Sequence, residues 1–74
     1  MFHLKITIMK RFSFVLHYIE GNRHETRQHT ESFESVADAQ IRARAILKEA
    51  KRDGLAVMQI DVYEIITRHV VSYQ

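Results

Sequence analysis

Five histidines in a chain of 74 residues, at positions 3, 17, 24, 29 and 69, are the side chains whose chemistry stands out first. Imidazole is a common metal ligand and titrates near neutral pH, so a cluster of them would point to a metal site or to proton transfer. Their spacing supports neither. No His-x-x-x-His pair sets two rings on one helix face, no cysteine can complete a zinc site, and a carboxylate-completed site would need several strands to converge. Strand histidines facing solvent are the simpler reading, with no metal and no cofactor. Nucleophilic catalysis has less to work with. Ser13, Ser32, Ser35 and Ser72 stand in no nucleophile-elbow or Ser-His-Asp context, and a domain this small has little room for a substrate pocket of ~300 Å³. The chain is therefore expected not to be an enzyme.

Charge offers a second chemistry. Arg44, Lys48, Lys51 and Arg52 fall on one side of a segment with helical periodicity, where they could track a phosphate backbone. Cations near a helix C-terminus also simply complement its dipole. The balance of charge argues for the plainer role: residues 1–33 hold five Lys/Arg against three Glu, residues 34–74 hold six against six, and the formal net charge is only +2. Gly21 and Gly54 are the only glycines, so no glycine-rich phosphate loop forms. Weak, sequence-independent nucleic-acid binding is the alternative function, not the first.

The elements that must position these groups follow from hydrophobic period. Leu, Ile, Val and Phe make up 22 of the 74 residues, enough for one folded domain but for a small core, which favours self-association into a homodimer. Phe2, Leu4, Ile6, Ile8, Phe12, Phe14, Leu16 and Tyr18 alternate on even positions, the pattern of a one-sided strand. A straight strand of that length would reach about 60 Å, too long for the domain, so a break is expected at Met9-Lys10-Arg11. Residues 1–8 then form a strand arm, and residues 12–33 a β-hairpin turning at Gly21-Asn22. A two-residue loop would set Arg27 and His29 beside Leu16 and Phe14. A three- or five-residue loop is expected instead, pairing Phe14 with Gln28 and setting His17 opposite Glu25.

Ser35 opens a capping box with Asp38, and Val36, Ala39, Ala43, Ile46, Leu47 and Ala50 form an apolar stripe, so residues 35–53 read as a helix ending at Asp53-Gly54. Residues 56–74 hold the C-terminal strands. Met58, Ile60 and Val62 are expected on one face of the first, and Val70 to Tyr73 forms a short last strand. The fold class is α+β: a small ββαββ domain, an antiparallel sheet with one helix packed on one face. Its proline-free strands leave sheet edges open to pairing.

The layout of Phe12-Ser13-Phe14-Val15-Leu16-His17-Tyr18, turn, polar strand, Ser35-capped Ala-rich helix and Val57-Met58-Gln59-Ile60-Asp61-Val62 resembles very short phage-encoded inhibitors of the anti-CRISPR type. That resemblance implies a protein that blocks a host protein surface. The expected function is a non-catalytic protein-interaction module. Its contact residues, toward a second copy or a host protein target, are Phe2, Leu4, Ile6 and Ile8 of the arm with Val15 and Ile19 of the hairpin. No apolar run approaches the ~20 residues of a membrane span, and the lack of cysteine fits a reducing compartment, so a cytoplasmic location is expected.

Overall fold

The computed structural model describes residues 9–65 and 68–73. Strand β1 (Lys10–Glu20) and strand β2 (Arg23–Phe33) form a hairpin, helix α1 (Val36–Arg52) follows, and strands β3 (Ala56–Glu64) and β4 (Arg68–Tyr73) complete an antiparallel sheet in the order β2-β1-β3-β4. The even residues of β1 supply the centre of the core. Phe12, Phe14, Leu16 and Tyr18 are buried with Ile60 and Val62 of β3 beneath Ala39, Ala43, Leu47 and Ala50 of α1. Small alanines let the helix backbone sit close to the sheet, while Leu47 and the flanking Val36 and Ile46 fill the margins.

Both helix ends are closed by their own sequence. The Ser35 hydroxyl accepts from the Asp38 amide at 3.2 Å, satisfying one of the free N–H groups of the first turn. At the other end Leu55 N–H donates to Ala50 O and Gly54 N–H to Lys51 O, both at 3.1 Å. This is a Schellman closure, and it needs the left-handed φ of +89° that Gly54 supplies without a Cβ penalty.

The hairpin corrects the expected register. Glu20 pairs with Arg23, so the loop is the two residues Gly21-Asn22, and Phe14 lies opposite His29, Leu16 opposite Arg27 and Phe12 opposite Glu31. Gly21 takes φ +63° while no other residue of the turn has positive φ, the pattern of a type II′ turn. The longer loop was expected because charge beside the aromatic face looked costly. That cost does not arise, because α1 packs chiefly over β3 and barely covers β2. Arg27 lays its guanidinium 5.1 Å from the Tyr18 ring centroid and His29 sits 6.0 Å from Phe14, so their apolar parts cover the core while their polar ends stay wet.

A second correction concerns β3. Its register against β1 shifts between His17 and Tyr18, so Leu16 faces Ile60 but Tyr18 faces Val57. One extra residue reverses the alternation beyond it. Val57 rather than Met58 packs against the core, and Met58 is 49% exposed.

Candidate functional site

Three surfaces have chemistry worth weighing. The first is the face of the sheet away from the helix, built by the odd residues of β1. Here the Asp61 carboxylate, its side chain only 10% exposed, accepts from His17 Nε2 at 2.8 Å and from the Gln59 amide at 3.1 and 3.3 Å. A carboxylate only accepts, so His17 Nε2 carries the hydrogen of that bond, and one further hydrogen lies between His17 Nδ1 and His24 Nε2, 3.0 Å apart. Register explains the convergence: His17 of β1 faces Gln59 of β3 on one side and Thr26 of β2 on the other, with Asp61 and His24 one diagonal step away. The expected pair of His17 with Glu25 is replaced, because the two-residue loop puts Glu25 beside Tyr18 on the other face. Next to this chain Gln28 Nε2 donates to Ser13 Oγ at 2.8 Å. Among the described residues no group of three or more His, Cys, Asp or Glu is arranged to hold a metal. The His24–His17–Asp61 chain can lock ring orientation and strand register.

The second surface is a groove between β2 and α1. It has a volume of about 310 Å³, an apolar floor of Phe14, Leu16, Ile46 and Ala50, and a charged rim that includes Arg27, Arg42 and Glu49. The helix lies over β3, and this open groove is what remains above β2. One wall is braced where Glu31 accepts from His29 Nε2 at 2.8 Å and from Arg42 Nε at 3.1 Å. The His29 hydrogen bond, opposed by burial and assisted by Arg42, holds the Glu31 carboxyl below its ordinary pKa.

The third surface is the outer edge of β2. All eleven of its residues pair with β1 without a register shift, so the ladder is unbroken, and its far side meets no other strand among the described residues. Antiparallel strands turn alternate amides to alternate sides, and a two-residue hairpin makes Glu20 and Arg23 a hydrogen-bonded pair. The odd residues Glu25, Arg27, His29 and Glu31 therefore bond to β1, while His24, Thr26, Gln28 and Thr30 point their N–H and C=O groups outward. Ile65 N–H donating to Arg11 O at 3.0 Å agrees, since it shows an odd residue of β1 turned toward the opposite side, away from β2.

The residues singled out from sequence fall as follows. Phe2, Leu4, Ile6 and Ile8 lie outside the described residues. Val15 is half-buried and Ile19 exposed, both on the helix-free face, but their neighbours across the sheet are Gln28 and Asp61 for Val15 and His24 and Ala56 for Ile19. They do not make a contiguous apolar patch. Arg44, Lys48, Lys51 and Arg52 are all exposed on α1. Arg44 lies 5.7 Å from the Tyr73 ring centroid, and Arg52 sits 3.9 Å from Glu49 and 3.8 Å from Asp53, so half of the stripe already has partners within the chain. His17, His24 and Asp61 were missed as a set because they meet only through register. The Gly21-Asn22 pair, a strong two-residue hairpin signal, carried that information.

The chain matches no known family model, no curated protein and no solved structure. No helix among the described residues is long and apolar enough to cross a membrane.

Proposed function

We propose that this chain is a small non-catalytic protein-interaction module that receives an extended segment of a partner as an added strand along β2. The observation that carries the reading is the unbroken eleven-residue edge beside an open apolar groove. Strand addition uses main-chain hydrogen bonds for affinity and nearby pockets for side-chain selection, and both are supplied here on one side of the molecule. The unit is the ββαββ domain, with β4 closing the far edge through pairs such as Ile60 with Tyr73. A cytoplasmic inhibitor of the anti-CRISPR type, covering a host protein surface, is the role that the layout resemblance implies for such an edge.

Thr26→Pro tests it. Proline removes one outward N–H yet spares the ladder to β1, so the domain keeps its fold while a docked strand loses a central bond. A host protein retained by the native chain after nuclease treatment is expected to be lost with Thr26→Pro. Equal capture by both chains would refute docking at this edge.

The exposed cations of α1 favour the second reading, a weak sequence-independent nucleic-acid binder. Binding to duplex or single-stranded DNA is expected to be weak at physiological salt, because only a few phosphates can be neutralised, and to weaken further as salt is added. Fluorescence anisotropy on the native chain and on the Arg44→Gln, Lys48→Gln double variant checks this. A sub-micromolar affinity at physiological salt, lost in the double variant, would reverse the order of the two readings.

A further inference from the structure

The charge pattern along β2 points to what can occupy its edge. On the helix side of the sheet the strand reads Arg23, Glu25, Arg27, His29, Glu31, and on the other side His24, Thr26, Gln28, Thr30, which are uncharged polar apart from the histidine. An edge guarded by like charge would repel a copy of itself; this one alternates in sign.

We infer that a second copy of this chain docks on β2, strand against strand about a two-fold axis through Thr26. This rests on the reading of β2 as a docking edge and makes a second copy the competitor of a host segment for it. Registers centred on Thr26, Arg27 and Gln28, at the middle of the strand, overlap the two edges most fully, and charge separates them. Centring on Gln28 sets Glu25 against Glu31, and centring on Arg27 sets two guanidinium groups face to face. Centring on Thr26 sets Glu25 opposite the partner's Arg27, and Arg27 opposite the partner's Glu25. Arg23 then faces the partner's His29. Opposite charges directly across an antiparallel pair attract, and the two-fold axis makes each such pair occur twice. About six main-chain hydrogen bonds form from Thr26, His24 and Gln28, the residues whose amides point outward. The helix does not obstruct this approach, because it lies over β3. The Glu25 and Arg27 side chains both lie on the helix side of the edge, Glu25 Oε1 3.4 Å from Arg23 Nε and the Arg27 guanidinium 5.1 Å from the Tyr18 ring centroid. The result is one continuous sheet spanning both subunits.

The test is a charge exchange on the full chain, read as molar mass by light scattering. The native chain is expected at twice the single-chain mass. Glu25→Arg alone and Arg27→Glu alone are expected at the single-chain mass, because each places like charges opposite. An equimolar mixture of the two variants is expected to recover the doubled mass, since the guanidinium groups of one variant then face the carboxylates of the other. The Glu25→Arg, Arg27→Glu double variant is expected to be dimeric by itself. A native chain that stays monomeric, or single variants that remain dimeric, would overturn the inference. Should a single variant unfold, the double variant decides: a dimer supports the pairing and a monomer overturns it. The two readings of β2 fail separately. A monomeric native chain that still captures a Thr26→Pro-sensitive host protein sinks self-pairing alone; charge-dependent dimers with Thr26→Pro-insensitive capture sink the host-partner reading alone.

Discussion

Ala43→Glu is expected to unfold the domain, and Ala45→Glu to leave it nearly unchanged. Ala43 has no exposed surface and lies among the aromatic and β-branched side chains of the sheet, whereas Ala45, two residues along, faces solvent. A carboxylate at position 43 must either enter the core without a partner or push the helix off the sheet. Either costs several kcal/mol, of the order of the whole stability of a small domain. At position 45 the same substitution is a surface change within about 0.5 kcal/mol. Thermal melts followed by circular dichroism check the contrast, and equal midpoints would mean that the helix packs through another face.

Asp61→Ala has the next largest expected effect. It removes the acceptor of the part-buried His17 Nε2–H and two of the hydrogen bonds made by Gln59. A fully buried donor left without an acceptor costs about 1–3 kcal/mol, so a part-buried one is expected at or below the low end of that range, and in a domain of this size each kcal/mol lowers the melting midpoint by roughly 4–8 °C. Asp61→Asn keeps one acceptor oxygen and is expected to lose less. The ring signals of His17 and His24 in nuclear magnetic resonance are expected to change together in both variants, because His24 is held through His17. An Asp61→Ala protein as stable as the native chain would show that the carboxylate contributes nothing to the fold.

How far the sequence can be read depends on whether the deciding interaction is local. The helix was legible because its signals are: Ser35 at one end, Gly54 at the other, and an apolar stripe whose members Ala39, Ala43, Leu47 and Ala50 are all buried. The even face of β1 was legible for the same reason, since period two places Phe12, Phe14, Leu16 and Tyr18 together wherever the strand goes. The hairpin register was not, because weighing Arg27 and His29 against the aromatic face required knowing which strands the helix covers. That is a tertiary fact. Once the helix is over β3, the long side chains of an edge strand lie along apolar rings at little cost. The bulge at His17/Tyr18 likewise has no sequence mark, yet it exchanges Val57 for Met58 in the core. The His24–His17–Asp61 chain combines both errors, since it needs the two-residue loop and the β1/β3 register at once.

Docking at the outer edge of β2 is tested most directly by amide hydrogen exchange, residue by residue, across a series of protein concentrations. In dilute solution the account predicts slow exchange at Glu25, Arg27, His29 and Glu31, whose amides bond to β1, and fast exchange at His24, Thr26, Gln28 and Thr30, whose amides face outward. As concentration rises and the molar mass doubles, His24, Thr26 and Gln28 are predicted to become slow while the odd residues hardly change. If the mass doubles and those three amides still exchange as fast as before, subunits meet elsewhere and β2 is not the docking edge.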